Sequence, residues 1–362
     1  MKYALIALLF LFHWTNPNDF QPLSEEYCFE EQVIEVNETV ELALIIAALS
    51  ELDRSTNNSI NRDTDYYAEL EEYFKDFRNH PVFERLGSEF NLPRLAGNAA
   101  NYRFDEEGKL YLLKGSQDLW KDSAKNYFAN NLNEIQDFAD KTEYQKFYRS
   151  KQDLYASYVQ NTAEAVDERD MLDWLSAQFD IEVRPVKVFI SPLMSGFHWT
   201  TLYSKQQRIW INPLDPSKMK DLNEFEKLRY ARVIFTELDH GYVNPVSSKH
   251  VKQIEVAMSD PEIWGNTRDA EYYFSPELKF NEYMTWSVYL LYVKDKLRDR
   301  QEEFNRIFQE TSQSMTRGRG FIRFEAFAEK TLELYISKPS KKVQEIQMEM
   351  ILWCTEYQAS KE

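Results

Sequence analysis

The spacing of apolar residues differs in one segment of this chain of 362 residues, and that segment constrains the fold most strongly. Before residue 180, segments such as TDYYAELEEYF and ERDMLDWLSAQF repeat apolar residues every three or four positions, which predicts helices. Residues 183–215 instead alternate and carry turn signals at S-P, S-G and S-K-Q-Q, which predicts three short strands. Helical spacing then resumes. The predicted fold class is therefore α+β, mainly helical, with a small antiparallel sheet formed by a three-strand meander.

The length of the chain predicts two lobes, since domains hold roughly 100 to 200 residues each. We expect a signal peptide or N-terminal anchor at 1–20, a helical N-terminal lobe at 21–180 and a second lobe at 181–362. The start, MKYALIALLFLFHW, has the apolar length of a secretory signal and is too short to cross a bilayer. Export is therefore expected, to the periplasm, the medium or an N-terminal anchor. An uncleaved anchor or a buried first segment is the alternative, because HWTNPNDF lacks an A-x-A-like cleavage site.

The charge balance bears on partners. With 60 acidic and 43 basic residues, the net charge of −17 repels phosphate backbones, so we expect no nucleic-acid partner. We also expect no transmembrane domain beyond a possible N-terminal anchor. The two cysteines, Cys28 and Cys354, allow either a disulfide between the chain ends or two unpaired buried thiols.

The segment FTELDHGYVNP, residues 235–245, carries the chemistry that stands out most. A zinc-peptidase helix has the pattern H-E-x-x-H, with two imidazoles one turn apart and a glutamate as general base. Here Glu237 and His240 match that pattern, and Thr236 replaces the first histidine. At helical spacing Thr236, Glu237 and His240 lie opposite an apolar stripe expected to face the sheet, and N-P is expected to end a helix over 222–243. A chance E-x-x-H held by an ordinary helical hydrogen bond is the alternative.

A third acidic group, Glu282, stands one turn before Trp286 on the apolar stripe of the helix predicted at 277–298. A carboxylate aimed into a core needs a metal, a hydrogen-bond set or a cation. Two partners are open for it, a metal ion and an arginine of RGRGFIR, residues 317–323. His198, in MSGFHWTT, either supplies an imidazole from outside the helix or is an exposed strand histidine.

The runs VFISPLMSGFHW, FTELDHGYVNP and FNEYMTWSVYLL resemble an uncharacterised bacterial family, a domain of unknown function whose members are exported and resemble gluzincin metallopeptidases. The resemblance is clearest over 183–290. It implies a zincin-like active-helix core, Glu237 as general base, His240 and Glu282 as ligands, and zinc as cofactor. Thr236 departs from the pattern, and Thr236, His198 and Asp239 are the additional residues expected to line the site.

The threonine leaves several functions open, because a neutral hydroxyl is a weak zinc donor and a catalytic zinc usually has three protein ligands. One is a zinc-dependent peptidase, a hydrolase, with weakened metal binding. Another is an inactive pseudopeptidase that binds a peptide or protein in the cleft, and a third is a structural helical protein.

Three expectations follow from the motif. Glu237, His240 and Glu282 should converge on one ion or water. The strand at 197–204 should present an unpaired edge to an extended peptide. Restoring the imidazole by Thr236→His should raise zinc affinity by orders of magnitude.

Overall fold

A computed structural model describes residues 34–50, 59–85, 91–114, 116, 126–181, 185–196, 198–203, 206–213, 222–265 and 273–361. The predicted signal segment at 1–20 and Cys28 lie outside these residues, whereas Cys354 is a buried free thiol. The chain is mainly helical with small sheets, as predicted. Of the helices described, none has both the length and the apolar character needed to cross a membrane.

The N-terminal part is helical and contains one hairpin that the sequence analysis did not predict. Several of its helices start at a side-chain cap; Asn37, Thr64 and Asn91 each accept a hydrogen bond from a backbone N–H in the first turn. The helices are α1 Glu38–Leu49, α2 Asp65–Tyr73, α3 Val82–Arg85, α4 Leu92–Ala99, α5 Tyr127–Asn130, α6 Leu132–Lys141, α7 Tyr144–Ser150, α8 Gln152–Ala165 and α9 Glu168–Gln178, with a 3-10 turn at Lys75–Phe77. The hairpin pairs β2 Tyr102–Phe104 with β3 Leu110–Leu112.

The larger sheet contains four described strands in the order β1, β4, β6, β5. They are β1 Ile34–Glu35, β4 Val186–Phe189, β5 Trp199–Tyr203 and β6 Gln206–Trp210. Strand β4 runs parallel to both β1 and β6, and β5 pairs antiparallel with β6 at the edge.

The predicted antiparallel meander is therefore wrong, because the sheet is mixed and β6 lies between β4 and β5. Both inner strands are buried along nearly their whole length, which is typical of strands covered on two faces. The division of the chain at residue 180 stays a prediction; β1, from before it, pairs with β4, from beyond it.

The C-terminal part is built from helices. They are α10 Glu224–Leu238, α11 His240–Ser247, α12 Val251–Ala257, α13 Pro261–Trp264, α14 Pro276–Lys296, α15 Gln301–Gln313, α16 Phe324–Ser337 and α17 Val343–Ala359, with a 3-10 turn at Ser248–His250 and a π-helical turn at Ser314–Gly318. Helix α14 covers nearly the span predicted at 277–298. Helix α10 begins at a capping box, in which Asn223 and Glu226 bond reciprocally to each other's backbone N–H.

The helix predicted at 222–243 is interrupted, and N-P does not end it. Helix α10 stops at Leu238, Asp239 is the junction, and α11 continues to Ser247 with Pro245 inside it. The break has a tertiary cause. The buried Gln207 side chain of β6 donates from Nε2 to the backbone oxygens of Glu237, at 2.6 Å, and of Leu238, at 3.2 Å. These contacts satisfy carbonyl groups where the helix changes.

Helix α10 is buried on both of its faces around the motif. The predicted apolar stripe is buried, and Phe235 packs against aromatic rings of α14 and α9, with ring centroids 4.7 Å from Tyr292 and 5.9 Å from Trp174. On the opposite face, Thr236 and Glu237 are each only 2% exposed. The polar face of the motif therefore lies in the interior of the protein.

Candidate functional site

The strongest contact at the site joins Glu282 of α14 to His240 of α11 and to Arg319, which follows the π-helical turn. His240 Nε2 lies 3.5 Å from Glu282 Oε1, and Arg319 Nη1 donates to Glu282 Oε2 at 2.8 Å. The side chains of Glu282 and His240 are each 3% exposed, and that of Arg319 is 12% exposed. The structure therefore brings two predicted ligands together and adds a cation to one of them.

A local irregularity of the backbone delivers Arg319 to this place. The π-helical turn at Ser314–Gly318 ends with the Arg319 N–H donating to the Ser314 carbonyl at 3.0 Å. Gly320 then adopts φ of +81°, which favours glycine. Arg319 Nη2 also donates to the Tyr273 hydroxyl. Wider helical turns of this kind are frequent at functional sites.

Glu237 occupies the same interior but contacts a different histidine. His198, just before β5, places Nε2 3.8 Å from Glu237 Oε1, beyond hydrogen-bond distance. Glu237 Oε2 is buried without a hydrogen-bond partner among the described residues. His198 is 25% exposed and lies beside the motif, so it is a site-lining residue rather than a freely exposed strand histidine.

Thr236 and Asp239 take no part in the contact between His240 and Glu282. The Thr236 hydroxyl donates to the backbone oxygen of Arg232 one turn earlier, at 2.9 Å. Asp239 is fully buried at the helix junction, and neither of its carboxyl oxygens has a hydrogen-bond partner in the described part of the chain. Burial, together with the charges of Glu237 and Glu282, raises the pKa of Asp239 well above its usual range, which favours the protonated form.

The titratable side chains of the site form an ionic group, made of Glu282, Arg319 and His240, and a neutral pair, made of Glu237 and His198. Burial raises the pKa of Glu282, but the Arg319 guanidinium and His240 outweigh this effect and hold it at about 2. Burial lowers the pKa of His240, but Glu282 and Glu237 outweigh this and raise it overall, which favours the imidazolium.

In the neutral pair, burial raises the pKa of Glu237 to about 8. Burial, together with the positive charges of Arg232 and Arg319, lowers the pKa of His198 to about 3. Near neutral pH, Glu237 is therefore mostly protonated and His198 is uncharged.

The side chains present do not fit a catalytic zinc ion as they stand. Two ligands at roughly 2.0–2.2 Å from one tetrahedral ion lie roughly 3.3–3.6 Å apart, and His240 and Glu282 satisfy this spacing. However, the guanidinium of Arg319 holds the second oxygen of Glu282 and would lie beside the dication. Among the residues that the structure describes, no three His, Cys, Asp or Glu side chains are arranged to hold a metal.

Sequence reasoning identified one alternative that the structure contains and missed two other features. An arginine of residues 317–323 was one of the two partners considered for Glu282, and Arg319 fills that place. The hydrogen bonds of Gln207 to the end of α10 were missed, as was the stacking of Arg232 on Trp286, with the guanidinium carbon 4.5 Å from the ring centroid. No local pattern signals either contact, because each joins residues distant in sequence.

Comparison with known proteins adds no relative. The chain matches no family model, no curated protein and no solved structure.

Proposed function

We propose that this protein is an exported, gluzincin-like pseudopeptidase that binds an extended peptide without zinc-dependent hydrolysis. The observation that carries the proposal is the contact of Arg319 with Glu282, at 2.8 Å. In the gluzincin pattern that glutamate is a zinc ligand, and here an internal cation neutralises it. Thr236 removes a second ligand, and its hydroxyl bonds to its own helix.

Peptide binding is proposed because β5 lies at the edge of the larger sheet. Its one pairing partner among the described strands is β6, so the opposite edge offers backbone groups to an added strand. His198, immediately before β5, lies 3.8 Å from Glu237. A peptide added to β5 would thus run next to the motif helix.

The test of peptide binding uses ligands that differ only in backbone N–H groups. An added strand bonds to β5 through alternate residues of the peptide. Two N-methylated versions of a short Val/Thr peptide, with methyl groups at either the odd or the even positions, are therefore compared by calorimetry with the unmodified peptide. One methylated version should lose most of its affinity and the other should keep it. Equal affinity of all three peptides would contradict strand addition.

A zinc peptidase is the second candidate function, and the 3.5 Å spacing of His240 and Glu282 favours it. Zinc titration by calorimetry separates the two candidates. Sequence alone led us to expect that Thr236→His would raise zinc affinity by orders of magnitude, but Arg319 holds Glu282 and changes this expectation. We now expect weak zinc binding in the parent and in Thr236→His, and tighter binding when Thr236→His is combined with Arg319→Gln. Adding His240→Ala to each protein is the control. Stoichiometric zinc binding by the parent that His240→Ala abolishes would overturn the pseudopeptidase proposal.

A further inference from the structure

Arg232 differs from Arg319, the other cation near the site, because no acidic side chain of the described residues forms a salt bridge with it. It lies on α10 one turn before Thr236, and its guanidinium stacks on Trp286 at 4.5 Å from the ring centroid. No salt bridge joins it to an acidic side chain in the described part of the chain. Arg319 stacks on the same ring, at 5.1 Å, but is bonded to Glu282. A half-buried guanidinium with only an aromatic contact keeps unused hydrogen-bond donors.

Arg232 lines a pocket of about 520 Å³ between α10, α14 and α15. The two acidic residues of its wall are already engaged. Glu310 accepts from Arg229 Nε at 2.7 Å, and Glu226 accepts from the Asn223 N–H at 3.0 Å in the capping box. Of the two arginines in the pocket wall, Arg229 is therefore paired with an acidic side chain, whereas Arg232 has no such partner among the described residues. Hydroxyl side chains also line the wall, from Tyr230, Thr311 and Ser314.

The pocket lies close to the candidate site. Trp286 links the two, since its ring contacts Arg232, which lines the pocket, and also Arg319 of the site. His198, which precedes β5, is close enough to both guanidinium groups for their charges to act on it. The start of β5 and the pocket are therefore close to each other.

We infer that this pocket is a carboxylate-binding subsite, in which Arg232 binds the carboxylate of a peptide held on β5. The inference rests on the proposed function and names the chemistry of its ligand. A monoanionic carboxylate matches one uncompensated guanidinium, with which it forms two parallel hydrogen bonds. The carboxylate belongs either to a free C-terminus or to an acidic side chain, and the two sources are separated by experiment.

The experiment compares three peptides of the same Val/Thr sequence by calorimetry: the free acid, its C-terminal amide, and the amide with one internal Glu. The parent should bind the free acid at least about tenfold more tightly than the amide, since hydrogen bonds to charged groups are the strong ones. Recovery of affinity in the Glu-containing amide assigns the pocket to acidic side chains, and no recovery assigns it to the C-terminus. Either result supports a carboxylate subsite, whereas equal binding of all three overturns it and leaves peptide binding intact.

Variants assign the effect to Arg232. Arg232→Gln should abolish the preference for the acid and leave the affinity for the amide unchanged. Arg306→Gln is the matched control, because it removes the same charge from an exposed arginine that is paired with Glu310. Retention of the preference in Arg232→Gln would overturn the assignment. The comparison of acid and amide in the parent tests for a carboxylate subsite even if Arg232→Gln fails to fold.

A smaller probe separates this inference from the proposed function. N-acetylvaline and its amide are too short to add a strand, and their binding to the parent and to Arg232→Gln is measured by NMR titration. If no peptide binds but N-acetylvaline binds through Arg232, strand addition fails and the carboxylate pocket stands. If N-acetylvaline binds no better than its amide and no peptide prefers its acid form, the pocket is refuted.

Discussion

Replacing Arg319 by Met tests whether an internal cation has taken over the role that the resemblance gives to zinc. Met retains the length and the apolar contact with Trp286, but leaves Glu282 buried with His240 as its remaining partner. Removing one partner of a buried ion pair typically costs about 3–5 kcal/mol. The net shift of the Glu282 pKa from 4.5 to about 2, to which burial, Arg319 and His240 all contribute, corresponds to roughly 3 kcal/mol. We therefore expect Arg319→Met to lower the free energy of unfolding by about 3 kcal/mol at pH 7.

The loss of stability in Arg319→Met should depend on pH. Since the pKa of Glu282 is lowered by folding, its stabilising contribution is present above pH 4.5 and is lost as the pH falls through about 2. The difference between parent and variant should therefore be largest near pH 7 and should shrink in acid. Urea unfolding followed by tryptophan fluorescence at pH 7, and close to pH 2 where the contribution of Glu282 is lost, measures both quantities.

Two further variants exclude trivial causes. Arg317→Met removes an exposed arginine two residues away and should change stability by less than about 0.5 kcal/mol. Combining Arg319→Met with Glu282→Gln removes both charges, and the double variant should be more stable than the sum of the single effects predicts, by about 2 kcal/mol. Additive effects, or an Arg319→Met variant as stable as Arg317→Met, would refute the reasoning.

Three other predictions concern the buried acids and the helix junction. Because burial raises the pKa of Glu237 to about 8, the parent should lose stability as the pH rises from 4.5 to 8. Glu237→Gln should flatten that dependence. Measured by urea unfolding, the variant should gain several kcal/mol of stability at pH 9 and almost none at pH 5. In Gly241→Ala the new Cβ would lie 2.5 Å from Gln207 Oε1, so the hydrogen bonds at the end of α10 should weaken. Thermal melts should show a fall in stability of about 2 kcal/mol. Gly318→Ala is the control; its new Cβ would have no atom within 4 Å, so its stability should not change. Asp239→Leu removes a buried acid that has no hydrogen-bond partner among the described residues, and it should raise the free energy of unfolding by about 1–3 kcal/mol. A lower free energy of unfolding would mean that the carboxyl group has a partner in solution.

Local sequence patterns were enough to predict the helices near the site. The apolar stripe around Trp286 predicted a helix at 277–298, and the structure has one at Pro276–Lys296. The spacing of three between Glu237 and His240 predicted that they are neighbours, and each does act on the pKa of the other. However, α10 ends between them, and Glu237 Oε1 also lies 3.8 Å from His198 Nε2. Helical periodicity is readable because the interactions that define it span only three or four residues.

The pairing of the strands was not readable in this way. The alternating residues of 183–215 correctly predicted strands but gave the wrong order, because alternation reports which faces are covered and not which strand lies alongside. The insertion of β6 between β4 and β5 depends on backbone hydrogen bonds between β4 and β6, which are not consecutive strands. As a result β5, the strand for which an unpaired edge was expected at 197–204, lies at the edge of the described sheet that the proposed peptide would use.

The chemistry of the site was decided by tertiary structure. The sequence required a partner for the buried Glu282 carboxylate, because burying an unpaired charge is costly, and it left a metal ion and an arginine of 317–323 as equal candidates. The π-helical turn and Gly320 then place Arg319 beside Glu282 across 37 residues of chain. A local pattern can specify that a charge needs compensation, but only the packing of distant segments determines which cation supplies it.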